Sequence, residues 1–97
     1  MYARMMRFQV RPGMIDRMID VVRDSLVPIA HARPGFRGGV ALTDRTAGEI
    51  IGLTLWDTES DMVAGENDGY LQGNLEALMD LLQEAPVRQH LEVSLQA

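Results

Sequence analysis

An α+β fold of the ferredoxin-like kind, β-α-β-β-α-β, is what this sequence predicts, and three observations predict it. Four short runs alternate their side-chain character with a period of two. Two longer stretches between them repeat apolar residues at helical spacing. Breaks rich in Pro, Gly, Asn and Asp separate the runs. Short connections and right-handed crossovers then order one antiparallel sheet as 4-1-3-2, with two helices on one face.

The first strand is expected over Tyr2 to Val10, with Tyr2, Arg4, Met6, Phe8 and Val10 on one face and Ala3, Met5, Arg7 and Gln9 on the other. Arg11-Pro12-Gly13 breaks it. Met14, Ile15, Met18, Ile19, Val22, Leu26 and Ile29 recur as a helical stripe, and Asp16 suits the positive end of the helix dipole. Pro28 lies inside that stripe and is expected to kink or end the helix, because it cannot donate a backbone hydrogen bond. Arg33-Pro34-Gly35 closes the element.

Phe36 to Asp44 reads as the second strand, with Phe36, Gly38, Val40 and Leu42 expected on one face. The turn Arg45-Thr46-Ala47-Gly48 leads into a third strand that ends at Trp56, so the two form a hairpin. In this central strand Ile51, Leu53 and Leu55 share one face and Ile50, Gly52, Thr54 and Trp56 the other. Thr58-Glu59-Ser60-Asp61 resembles a capping box that starts the second helical region, and Asn67-Asp68-Gly69 interrupts it. Leu71, Leu75, Leu78 and Leu82 form the apolar stripe beyond that break, in a helix expected to stop at Pro86. Val87 to Gln96 completes the sheet.

The chain, 1–97, forms one domain with a single core. It lacks any apolar run of membrane-spanning length, and its N-terminal residues enter a strand pattern without a signal-peptide signature, so the cytoplasm is the expected compartment. Cysteine is absent, which removes disulfide and thiol chemistry. A net charge of −5 with scattered Arg argues against a nucleic-acid partner, which needs a concentrated basic face. Both faces of the central strand carry large aliphatics, yet the two helices cover only one. A second copy packed sheet to sheet, as a dimeric α/β barrel, is the expected remedy.

Phe8-Gln9-Val10-Arg11-Pro12-Gly13, Arg33-Pro34-Gly35-Phe36 and Leu53-Thr54-Leu55-Trp56-Asp57-Thr58-Glu59-Ser60-Asp61 together resemble the antibiotic biosynthesis monooxygenase-like (ABM) family. The resemblance spans essentially the whole chain and implies a homodimer with a ligand cavity inside each subunit, between helices and sheet. It also implies oxygenation of polycyclic aromatic quinols without a cofactor, or haem degradation in another branch. The catalytic positions themselves do not carry over. Where the quinol-oxidising members keep Asn, Tyr and Arg around the matching Trp56, this chain has Gly52, Met62 and Glu76. Where the haem-degrading members keep Asn, Trp and His, it has Met6, Gly65 and Asn74 or Leu75. No catalytic residue is therefore assigned, and fold analogy alone does not establish an activity.

Six residues are candidates for a ligand pocket: Arg4, Met6, His31, Thr54, Trp56 and Tyr70. Trp56 either stacks on a flat aromatic ligand or fills core beside the second helix; Gly52 on its face leaves space for the former. Arg4 either binds a phenolate or carboxylate, or reaches solvent or an acidic neighbour. His31 is a general base or a surface His near a helix end, and Tyr70 offers its hydroxyl as a polar handle. His90, among Arg88, Glu92 and Ser94, reads as solvent-facing or rim. Gly65, Gly69 and Gly73 either line one side of a continuous helix or mark a broken segment. Neither His lies in a metal-ligand spacing, so no metal or other cofactor is expected.

Overall fold

A computed structural model describes all of residues 1–97. Strands β1 (Tyr2–Gln9), β2 (Phe36–Asp44), β3 (Glu49–Trp56) and β4 (Val87–Glu92) form one sheet in the order β2-β3-β1-β4, every pairing antiparallel. The expected 4-1-3-2 order is this same sheet viewed from its other edge. The first helical region is α1 (Ile15–Val21) and α2 (Val27–His31), joined through one wide turn at Val22–Leu26 with π-helical hydrogen bonding. Pro28, in the first turn of α2, explains the join: without an N–H it cannot bond back to the preceding turn, and the extra residue there absorbs the mismatch.

The second helical region is α3 (Glu59–Asn67) and α4 (Tyr70–Leu78). Thr58 caps α3, its hydroxyl accepting from the Asp61 N–H at 3.1 Å. Gly69, at φ 90°, turns the chain between the two helices, a conformation that suits a residue without Cβ. The apolar stripe ends earlier as a helix than Pro86 suggests. A short 3₁₀ turn (Met79–Leu81) follows α4, and Leu82 is extended, bridging Val10. The reason is tertiary: Arg11 N–H donates to the Leu81 carbonyl at 2.8 Å and Gln83 N–H to the Gln9 carbonyl at 2.9 Å, so the β1–α1 connection takes over backbone groups the helix would have used. Leu82 remains buried.

Two strand expectations are corrected. β4 stops at Glu92, short of Gln96, because its partner β1 runs out; the last tie is Val93 N–H to the Met1 carbonyl at 3.0 Å. In β2 the register slips between Phe36 and Gly38, so Phe36 lies opposite Trp56 while Gly38, Val40 and Leu42 lie opposite Leu55, Leu53 and Ile51. The extra residue reverses side-chain parity. Phe36 therefore joins the helix-side face, and Val40 and Leu42 fall on the opposite one.

The helix-side face holds the core: Met6 and Phe8 from β1, Val10 just beyond it, Ile50 from β3, Ile15 and Met18 from α1, and Leu78 and Leu82 from the second region. On the other face Val40 and Leu42 are about half exposed, Val87 is 58 % exposed and Leu91 37 %. Only 15 of 97 residues are buried, so a single subunit closes one side of its sheet and leaves the other wet.

Candidate functional site

Between the α1–α2 layer, α4 and the sheet lies a cavity of about 570 Å³, in the size range of pockets for drug-sized molecules. Seventeen of its 25 lining residues are hydrophobic. β1 supplies Arg4, Met6 and Phe8; β3 supplies Ile50, Gly52 and Thr54; α2 supplies His31; α4 supplies Tyr70, Leu71 and Asn74. The pattern follows from the strands' alternation: Arg4 pairs with Thr54, and Met6 with Gly52, on the helix-side face. A Cβ on Gly52 would meet nothing closer than Phe8 at 3.8 Å, so packing does not force a glycine there; its effect is to leave room in the cavity floor.

Five of the six candidate residues, Arg4, Met6, His31, Thr54 and Tyr70, are brought together on this wall. Trp56 is the exception: of the two readings, stacking surface or core filler, its placement is the second. It is completely buried and lies behind the wall. Its indole N–H donates to the Thr54 hydroxyl at 3.0 Å, and its ring meets Phe36 (5.4 Å) and Tyr70 (6.5 Å) edge to face. His31 continues the series, 5.3 Å from Phe36. The indole thus fixes the orientation of residues that reach the cavity and leaves no face of its own for stacking.

Arg4 is 2 % exposed. Its guanidinium lies 5.5 Å from the Trp56 ring centroid, and Nη1 donates to the Met62 carbonyl at 3.0 Å and to Glu66 Oε2 at 3.4 Å. Burial pushes its pKa below the ordinary arginine value, with the Glu66 carboxylate opposing that effect. Glu66 and its role were not singled out from the sequence. Nearly buried on α3, it also meets Arg88 at 3.1 Å and His90 at 2.7 Å. β4 pairs His90 with Arg4 and Arg88 with Met6, which puts both on the helix-side face next to α3. Helical spacing from the wholly buried Met62 to Glu66 was the available signal that this carboxylate points inward.

Tyr70 is held from outside the cavity by Arg33, whose guanidinium stacks 4.7 Å from its ring centroid. Arg33 Nη2 also bonds Asp68 at 2.6 Å, holding that carboxyl below its usual pKa range, with help from the Tyr70 N–H. Arg33 Nε is buried without a partner. Of the three spaced glycines, Gly65 lies in α3, Gly69 at the break and Gly73 in α4, so they do not line one continuous helix. Gly65 alone is sterically required: a Cβ there would sit 2.8 Å from Tyr70 Cδ2. No group of three or more His, Cys, Asp or Glu side chains is placed to hold a metal ion, and no helix is long and apolar enough to cross a membrane.

With its antiparallel four-stranded sheet and helices on one face, this chain has a fold like that of antibiotic biosynthesis monooxygenases. Among solved structures it is similar to a monooxygenase from Streptomyces coelicolor in complex with the ligand Nanaomycin D, with a TM-score of 0.84 at 15 % identity over 99 % of this chain and 89 % of that one. A protein from Bordetella bronchiseptica assigned to antibiotic biosynthesis monooxygenases gives 0.79 at 17 % identity, covering 97 % of each chain. A protein of unknown function from Nitrosomonas europaea gives 0.78 at 21 % identity over 99 % and 91 %. No protein-family model and no curated protein matches the sequence.

Proposed function

We propose that this protein is a homodimer that takes a small, flat, mostly apolar molecule into each subunit's cavity and oxygenates it without a cofactor. The observation that carries the reading is the cavity itself: an apolar volume of about 570 Å³ with Arg4, Thr54, His31 and Tyr70 on its wall. The likeness to the Streptomyces monooxygenase, solved with Nanaomycin D, supports placing an organic ligand there, which we take to be a phenol or quinol. In such a reaction His31 or Tyr70 takes a proton from the substrate, and the resulting carbanion reduces O₂. A ring C–H of the phenol (a CH₂ in its keto tautomer) becomes a carbonyl, one oxygen atom of O₂ enters the product and the other leaves as water with the ring and hydroxyl hydrogens. The exposed aliphatics Val40, Leu42, Val87 and Leu91 support the dimer, in which two such sheet faces cover each other.

Oxygen consumption with a panel of anthrones and naphthoquinols tests the chemistry; turnover reduced by His31→Ala or Tyr70→Phe supports it, and no uptake with any member contradicts it. A second reading, a non-catalytic binding dimer, draws on the positions where the quinol-oxidising members keep polar groups. Here Met62 is wholly buried and apolar, and Glu76 is exposed. Ligands that raise the melting temperature and are recovered unchanged favour that reading.

A further inference from the structure

The chain carries 14 acidic residues and a net charge of −5, yet the cavity wall contains no Asp or Glu at all. Its charged members are Arg4 and Arg23, and its one other titratable nitrogen base is His31. Arg23 is exposed and already paired with Asp20 and Asp24. Arg4 differs on both counts. It is almost wholly buried, and of its five N–H donors only those on Nη1 have partners in the chain. Nε and Nη2 are not sealed off either, since the single fully enclosed side-chain nitrogen without a partner belongs to Arg33. Arg4 is also one of the cavity's lining residues, the one charged side chain there with donors left unpaired and little solvent exposure.

The charge around Arg4 is also incompletely offset. Glu66 is its one carboxylate neighbour, at 3.4 Å, and that group is shared with Arg88 and His90 at shorter range. Arg4 and Arg88 against Glu66 leave one positive charge over, even with His90 neutral. A buried cation with free donors beside an apolar hollow is stabilised by an anion that fills both roles.

We propose that the cavity selects an apolar acid, whose anionic oxygens, carboxylate or phenolate, seat on the free edge of Arg4 while its flat body lies against Met6, Gly52 and Leu71. This rests on the cavity being a ligand site and adds the charge and the orientation of the ligand. Glu66 is the internal competitor for Arg4, so weakening it strengthens the ligand's hold.

Isothermal titration of the full chain with 2-naphthoate and its methyl ester, and with 4-nitro-1-naphtholate and its methyl ether under mildly alkaline conditions, tests this. At least one anion is expected to bind about tenfold or more tighter than its neutral partner, the size of a charge-assisted hydrogen bond. Which pair shows the preference tells carboxylate from phenolate. Arg4→Gln should erase the preference, and Glu66→Gln, which keeps a hydrogen-bonding group in place, should widen it severalfold while leaving the neutral compounds within about twofold. If Arg4→Gln does not fold, Glu66→Gln decides alone. Equal binding of acids and neutral partners, or a ratio that Glu66→Gln leaves unchanged, overturns the inference and leaves the cavity reading standing. No binding by any of the four overturns both.

Discussion

The two faces of the one sheet have been given opposite tasks by the same alternation of side chains. On the helix side, Phe8, Ile50 and Trp56 are at most 7 % exposed, and even a charged residue, Arg4, is enclosed. On the other side, Val40 and Leu42 of β2 stay about half exposed. Yet the cavity is on the helix side, the better-packed of the two. The helices bridge over the floor at Gly52 and Thr54, and aromatic contacts join Phe36 of the sheet and Tyr70 of α4 to Trp56. The difference teaches that the hollow lies within the well-packed half, whereas the bare face is the surface that the proposed second copy would cover.

Substitutions on the two faces should separate these tasks. Trp56→Ala removes a completely buried ring and three aromatic or hydrogen-bond neighbours, and is expected to cost about 3–5 kcal/mol of stability by chemical denaturation. Leu42→Asp on the bare face should behave differently. If the proposed dimer forms through this face, the variant should keep its secondary structure but sediment as a monomer where the wild type sediments as a dimer, because a lone charge would be buried in the sheet–sheet contact. An unchanged dimer in that variant would mean the copies meet elsewhere.

Gly65→Ala comes next. Its Cβ would press on Tyr70, and overpacking of this kind costs about 1–3 kcal/mol. A Tyr70 ring displaced by that methyl should also change ligand affinity, which a merely destabilised helix would not do once the protein is folded. Thr58→Ala loses the α3 cap alone, and about 1 kcal/mol is expected in the same denaturation assay.

Acid titration gives the smallest effect. Asp68 and Asp16 are held below the usual carboxylate range by hydrogen bonds from Arg33 and Arg45. Their folded pKa values lie below the unfolded ones, so the stabilisation is complete above the unfolded value, about pH 4, and is lost as pH falls through the folded value. The melting temperature should therefore drop on acidification through that window, and less steeply in Asp68→Asn. A slope identical in the variant would show that the Arg33–Asp68 pair does not contribute in solution.

How much of this was legible beforehand depends on whether a residue's fate is local. The strands and helices follow from periods of two and 3.6, and the break at Asn67-Asp68-Gly69 from glycine's conformational freedom, so these were readable. The reversal of parity in β2 was not, because a bulge is a backbone event; its one local trace is Gly38 at φ 116°. Leu82 continued a helical stripe but was claimed by Val10, 72 positions upstream. For Trp56 the alternatives of wall and core could not be separated from the strand face alone, since both place the indole on the helix side. The deciding feature is the enclosing contact with Phe36, Tyr70 and the Thr54 hydroxyl. Glu66 matters through β4, an element that follows it by some 20 residues, and nothing adjacent to it in the chain reveals that.

The cavity as a ligand site is tested most directly by filling it from the floor. Gly52→Val adds a β-branched side chain to a central strand at a point where a Cβ meets only ordinary contact with Phe8. Titration calorimetry with a flat quinol or acid that binds the wild type should show binding lost in this variant while its melting temperature holds or rises. Undiminished binding in a well-folded Gly52→Val would contradict the account.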